Sequence, residues 1–305
     1  MKQNHGLKIT WKAKWDPRKL SRKKKFGSFD ASQIPDFDLD PNAKILDQGL
    51  SSMCTAFANC GVSGVQEGVE LSPEFAFQKT NLLSGLRHSD GADPDKAFKV
   101  HTKFGCIEQR DNPLKLSDRG QYAIEDPVAW DSSLDERALD HRKFSYMECD
   151  QGKDKYESIL IALYQSYQKF SQTNDIRDKK LASVGFYWLP SFTYAPNGII
   201  PNDTSRSTRE GSGHNVRARG QKTINGVPYL IIQNSYGTGV GDNGLHYFPR
   251  EVINKYVAFA KTFEDIDSDN EKQIQWNILA KMVDVLTLMI ELIRKTHAGI
   301  INKTL

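Results

Sequence analysis

The chain has 305 residues, of which 38% are hydrophobic and 26% charged, and its formal net charge is +3. This length allows one or two substantial hydrophobic cores, and the charged fraction is ordinary for a soluble protein. No internal repeat or low-complexity segment is present, which excludes a solenoid or a fibrous chain and favours one enzyme-sized domain with extensions.

The N-terminal segment carries the basic charge of the chain. Residues 1–29 contain ten Lys and Arg against a single Asp, a net charge of +9 that leaves −6 for the remainder. Such a segment is most typical of a solvated arm, and the alternative is an arm that contacts nucleic acid, anionic lipid or an acidic partner. Met1 to Thr10 lack the apolar core of a signal peptide, so nothing indicates export by that route.

A polar, glycine-containing loop leads into the first predicted helix at Cys54. The loop begins with Asp47-Gln48-Gly49, and Ala56 and Phe57 then continue at helical spacing. At a helix N-terminus the unpaired N–H groups and the macrodipole favour an anion, so we expect a lowered thiol pKa and a nucleophilic thiolate. The backbone N–H of Cys54 and the side-chain amide of Gln48 are candidate donors to an oxyanion.

Helical patterns come first along the chain and strand patterns follow. We predict helices over 54–69, 73–86, 94–104 and 156–170, then a strand over 181–189 that is followed by a turn at Pro196-Asn197-Gly198.

Two later motifs carry a candidate base and the residue that orients it. His214 follows a glycine-rich approach and begins a strand, and Asn234 ends the apolar run Tyr229 to Gln233. A turn at Asn225-Gly226 would make these strands neighbours and bring the two side chains together. Asn234 would then hold one imidazole nitrogen while the other faces Cys54, which is the arrangement of nucleophile, base and orienting group.

The C-terminal stretch predicts an amphipathic helix from Ile274 to Thr296, about six turns long. Its runs without a charge, such as Val285 to Ile290, are too short to span a membrane. Packing onto its own domain, self-association, docking into a larger assembly and binding at a membrane surface all stay open.

The motifs together resemble the papain-like cysteine peptidases. The resemblance covers roughly residues 34 to 250 and is carried by these segments: Gln48-Gly49, Cys54-Thr55-Ala56-Phe57-Ala58, Leu71-Ser72-Pro73-Glu74-Phe75, Gly213-His214-Asn215-Val216, Asn234-Ser235-Tyr236-Gly237 and Gly241-Asp242-Asn243-Gly244. It implies an α+β, papain-like two-lobed fold with a helical first lobe, a β-rich second lobe, and the site in the cleft between them. The C-terminal amphipathic helix is an addition to this plan.

This chain also departs from the family pattern. Thr55 stands where the family usually has Trp after the nucleophile, and Tyr236 replaces the Trp that shields the His-Asn hydrogen bond. Val240 replaces a second loop Trp on the leaving-group side, and Pro94, which has no N–H, lies near the place of the glycine pair that binds substrate backbone. Arg217 and Arg219 stand where the family usually has apolar residues. We expect them either to pair with nearby carboxylates or to bind an acidic partner.

Cysteine usage favours a reducing environment. Ser51 and Ala92 occupy the places of a disulfide that secreted members of the family have, and Cys60, Cys106 and Cys149 are interpreted as small buried hydrophobic residues. No C-x-x-C pair, His cluster or calcium loop predicts a metal, and no cofactor is expected. We expect the protein in the cytoplasm or within an assembled particle, including a viral one.

The sequence thus predicts a thiol endopeptidase that acts through a thioester, with Cys54 as nucleophile, His214 as base, Asn234 as orienting residue and Gln48 in the oxyanion hole. Its parts are a basic arm (1–33), a peptidase domain (34–262) and a C-terminal helical extension (263–305), and its partner is a protein or peptide substrate. The alternatives are a catalytically weak or inactive module that serves a larger assembly, and an acyltransferase or amidase with the same four residues.

Overall fold

The structure is a computed structural model that describes Lys19 and Leu20 and residues 30–87, 90–112 and 132–265. The first compact unit of the chain ends at Asp265. Most of the basic arm and the whole predicted C-terminal helix therefore lie outside the described residues. Self-association through that helix and polyanion contact by that arm stay predictions.

Helices dominate the first half of the described chain, and polar side chains begin several of them. Ser72, Asp93 and Asp154 each accept a backbone N–H bond at the start of the helix that follows them. These bonds satisfy donors that a helix start leaves unpaired. The helices are α1 (Cys54–Glu67), α2 (Pro73–Ser84), α3 (Pro94–Lys103), α4 (Ser132–Ala138), α5 (Lys155–Thr173), α6 (Pro190–Thr193) and α7 (Arg250–Tyr256). The four predicted helices are confirmed, each within a few residues of its predicted ends.

The described residues form one eight-stranded sheet, and most of its strands lie in the second half of the chain. Its strands are β1 (Lys19–Leu20), β2 (Phe37–Asp38), β3 (Ser145–Glu148), β4 (Ala182–Trp188), β5 (Ser212–Ile224), β6 (Val227–Gln233), β7 (Leu245–Phe248) and β8 (Val257–Glu264). Their order is β1-β3-β8-β4-β5-β6-β7, and β2 pairs with β5. Among the strand pairs of the described residues, the short β1–β3 pair is parallel and the others are antiparallel.

The predicted hairpin between β5 and β6 is present. Asn225 and Gly226 both have positive φ, 50° and 77°, as a two-residue turn with the twist of a hairpin requires. Arg217 of β5 pairs with Gln233 of β6, next to Asn234. The hairpin therefore brings Asn234 back beside β5, the strand that carries His214.

Two clusters of buried apolar side chains lie in the two halves of this unit. One joins α1 to α2, α4 and the segment around Ile107, and includes Phe75 and Phe77. The other joins the sheet to α5 and α7 and includes Trp188 and Phe248. The α+β architecture with a helical and a β-rich lobe is thus confirmed, and α1 packs against β5, the strand that carries His214.

Candidate active site

Cys54 is the first residue of α1. Met53 precedes it as the N-cap and offers no side-chain hydrogen bond to the helix start. The first-turn N–H groups are therefore available to an anion at this end of the helix. Cys54 is fully buried, with 0% of its surface exposed.

Gln48 is held by hydrogen bonds on both ends of its side-chain amide. Its Nε2 donates to the carbonyl of Ser51 at 2.7 Å, and its Oε1 accepts from the Ser235 hydroxyl at 2.6 Å. Its backbone N–H also donates to the carbonyl of Ser235 at 2.8 Å. These bonds fix the orientation of the amide, whose nitrogen carries a second N–H. The sequence did not reveal the role of Ser235, although it directly follows Asn234.

His214 and Asn234 are hydrogen-bonded to each other. Nε2 of His214 lies 2.8 Å from Oδ1 of Asn234, and the same oxygen accepts the backbone N–H of Ser235 at 2.7 Å. An amide oxygen has no proton to give, so Nε2 carries a proton, and in a neutral ring Nδ1 then has the lone pair. The predicted pairing of these two residues is therefore present in the structure.

Two aromatic side chains enclose the His214 ring. Tyr236 stacks on it at 4.6 Å between ring centroids and an interplanar angle of 17°, and Trp188 meets it edge-on at 4.9 Å and 74°. The Tyr236 hydroxyl also lies 3.1 Å from Nδ1. Sequence reasoning predicted the Tyr236 ring as a shield but missed its hydroxyl and Trp188, because neither motif nor spacing marks the end of β4 as part of the site.

The site is shut off from water in this structure. Cys54, His214 and Gln48 are each 0% exposed and Asn234 is 3% exposed. Burial, together with the nearby charge of Cys54, raises the pKa of the Tyr236 phenol well above its ordinary value. The Tyr236 phenol thus contacts His214 and lies within electrostatic reach of Cys54.

The two arginines of β5 differ in their partners. Arg219 binds both carboxylate oxygens of Asp38, at 2.8 and 2.7 Å. Pairing with a carboxylate was one of the two alternatives predicted from the sequence. Arg217 instead donates to the carbonyl of Lys44 at 3.3 Å and lines a cavity of about 260 Å³ next to Gly61 and Gly64 of α1. This cavity has neither Cys54 nor His214 in its lining.

The remaining cysteines are buried, as predicted. The sulfur atoms of Cys60 and Cys106 lie 3.8 Å apart, although 46 positions separate the two residues along the chain. Within residues 30–87, 90–112 and 132–265, no group of three His, Cys, Asp or Glu side chains is arranged to hold a metal ion. The same part of the chain contains no helix that is both long and apolar enough to cross a membrane.

Comparison with known proteins gives one family and one fold. The family described as papain family cysteine protease matches residues 36–263. A cysteine protease of Blomia tropicalis is 25% identical over 238 residues, 71% of this chain and 62% of that protein. The oryzain gamma chain of Oryza sativa subsp. japonica is 37% identical over 78 residues, 26% of this chain and 21% of that protein. These matches cover less than two thirds of the relatives' own length.

Solved structures agree on the fold. The crystal structure of xylellain, a cysteine protease from Xylella fastidiosa, superposes with a TM-score of 0.63 at 20% identity, over 88% of this chain and 98% of that one. Because the family match covers well over half of the sequence, including all four candidate residues, the chain belongs to the papain family of cysteine proteases.

Proposed function

We propose that the protein is an active thiol endopeptidase that cleaves peptide bonds through a thioester on Cys54. The observation that supports this most directly is the 2.8 Å hydrogen bond from His214 to Asn234, together with a cysteine that begins α1, the helix that contacts β5. Nucleophile, base and orienting group are the parts that covalent acyl transfer requires.

The roles in the proposed reaction follow from the chemistry of each residue. The Cys54 thiol gives its proton to Nδ1 of His214, and the thiolate attacks the scissile carbonyl carbon. The Cys54 N–H and the second N–H of Gln48 Nε2 stabilise the resulting oxyanion. Nδ1–H then protonates the leaving amine, and His214 takes a proton from the water that hydrolyses the thioester.

A catalytically weak or latent module is the second candidate. The complete burial of Cys54 and His214 favours it, because a substrate carbonyl must reach the thiol for attack. The substitutions at Thr55 and Val240 point in the same direction. In either case a protein or peptide is the expected ligand of the cleft.

Intact-mass labelling with an epoxide inhibitor of papain-like enzymes distinguishes the two candidates. We expect one adduct on the wild type and none on Cys54→Ala or His214→Ala, since both variants lack the activated thiolate. His141→Ala is the matched histidine control, because His141 lies beside Glu67 and Glu108 and should leave labelling unchanged.

An unlabelled but folded wild type would favour the latent module. Adducts on Cys60, Cys106 or Cys149 would show non-selective thiol chemistry and contradict the proposal. If the wild type is labelled, an assay for cleavage of a peptide library by the unlabelled wild type then distinguishes peptide hydrolysis from acyl transfer.

A further inference from the structure

The Tyr236 hydroxyl contacts the nitrogen of His214 that the proposed reaction needs. Its oxygen lies 3.1 Å from Nδ1, while the Tyr236 ring stacks on the imidazole. The other ring nitrogen, Nε2, is already bonded to Asn234. A shielding role requires only the ring of Tyr236, so the hydroxyl contact calls for a separate explanation.

The direction of this hydrogen bond follows from the Asn234 oxygen. That oxygen accepts from Ser235 N–H and must therefore accept from Nε2–H as well. Neutral His214 then has only a lone pair at Nδ1, and the Tyr236 O–H is the donor. Asn234 thus determines which way the phenol points.

The hydroxyl competes with the thiol for this lone pair. A thiol is a weak hydrogen-bond donor, whereas a phenol O–H is an ordinary strong one. The phenol also keeps its proton, because burial raises the pKa of Tyr236. A hydrogen bond to the neutral form of a base makes protonation of that base less favourable.

We propose that the Tyr236 hydroxyl is a positioning group that occupies Nδ1 of His214 and holds Cys54 and His214 in the neutral thiol and imidazole form. This inference rests on the proposed function. When the thiol proton moves from Sγ of Cys54 to Nδ1, the phenol proton turns away and its oxygen accepts from Nδ1–H. Tyr236 keeps its own proton throughout, so no proton is gained or lost in the exchange.

The groups around the His214 imidazole come from several elements of the fold. Cys54 on α1 and Tyr236 after β6 are the titratable groups, and Tyr194 acts electrostatically on the Tyr236 phenol. Trp188 of β4 packs edge-on against His214, and His246 of β7 packs against the same indole at 5.5 Å. Burial lowers the pKa of His246 to about 4, so this side chain is neutral above that pH.

The test is the pH dependence of Cys54 alkylation by iodoacetamide, followed by mass spectrometry, in wild type and Tyr236→Phe. Phe keeps the stacked ring and removes only the hydroxyl. We expect the acidic midpoint of alkylation to fall by about 0.7 pH unit, the size of one net hydrogen bond. Below the wild-type midpoint, the variant should then react about five times faster.

Tyr156→Phe is the matched control, because Tyr156 is buried and its hydroxyl bonds to Gln221 in the sheet lobe. It should leave the midpoint unchanged. An unchanged midpoint in Tyr236→Phe would overturn the proposal, and an upward shift would show that the phenol accepts from the imidazolium instead. A wild type that iodoacetamide does not alkylate at Cys54 at any pH contradicts the proposed function first, so the two failures are distinguishable.

Discussion

At the scale of single residues, the Gln48 amide is oriented before any substrate arrives. Ser51 accepts from its nitrogen and Ser235 donates to its oxygen. Donors that are fixed in advance stabilise a developing oxyanion without reorganisation during the reaction. We therefore expect Gln48 to contribute to turnover rather than to activation of the thiol.

Replacing Gln48 by Ala tests this separation. We expect kcat/KM on a peptide substrate to fall by a factor of about 100 to 1,000, the usual loss when one oxyanion donor is removed. The rate of Cys54 alkylation by iodoacetamide should change little, since that reaction has no tetrahedral oxyanion. Equal losses in both rates would show that Gln48 acts by holding the loop around Cys54.

His246 predicts a pH dependence of stability. Its folded pKa is lowered from 6.5 to about 4, chiefly by burial. Between these values the unfolded chain binds a proton that the folded chain does not, so the free energy of unfolding falls as the pH is lowered. The slope is at most about 1.4 kcal/mol per pH unit.

Urea denaturation of wild type and His246→Leu measures this effect. The stability difference between the two proteins should be constant above pH 6.5 and should shift against the wild type as the pH falls toward 4. His101, whose burial lowers its pKa to about 3, provides a second case of the same sign. A difference that does not change with pH would refute the assignment to His246.

At the scale of elements, α1 uses glycine where other chain segments approach it. A Cβ at Gly61 would lie 2.5 Å from Nη1 of Arg217, the end of a flexible side chain. A Cβ at Gly64 would lie 2.5 Å from the carbonyl oxygen of Val69, which is backbone. The helix therefore tolerates a methyl group at one position and not at the other.

The variants Gly61→Ala and Gly64→Ala should differ in unfolding free energy. Alanine gains about 1 kcal/mol of helix propensity at either site. At Gly61 this offsets the displacement of Arg217, so we expect a net change within about 1 kcal/mol. At Gly64 the clash should cost about 2 kcal/mol net. Equal effects in denaturant titrations would contradict the close approach of Val69.

At the scale of the whole molecule, Lys143 links distant parts of the chain. Its buried ammonium group binds Glu67 at the end of α1 and Asp265 after β8, the latter at 2.7 Å. These partners are 76 and 122 positions away along the chain. Lys143 itself is 0% exposed, whereas the two carboxylates are about one fifth exposed.

Lys143→Met should lower the free energy of unfolding by about 3 kcal/mol, because it leaves two partly buried carboxylates without their cation. Lys44→Met is the control, since Lys44 and Glu70 form an ion pair with 71% and 42% exposed side chains and should contribute less than about 1 kcal/mol. Similar losses in thermal and urea unfolding of both variants would mean that Lys143 is not a buried link.

The sequence alone determined the order Gln48, Cys54, His214 and Asn234 and the elements that carry them. Helical and strand periods and the Asn225-Gly226 turn are local properties, since each depends on neighbours a few positions away. For the same reason the predicted helices and the hairpin agree with the structure, whereas the two-lobed fold was predicted from the resemblance to the papain-like family. The pairing of His214 with Asn234 was predictable because one hairpin connects them.

Only the tertiary structure decided which groups surround those residues. The decisive contacts join side chains from different parts of the chain. They are those of the Tyr236 hydroxyl with Nδ1 of His214, of Trp188 with His214, of Ser235 with Gln48, and of Cys60 with Cys106 at 3.8 Å. Cys60 and Cys106, scattered along the sequence, meet because helix and loop pack together. Such contacts, and the complete burial of the site, depend on how close-packed surfaces fit, which no local sequence pattern encodes.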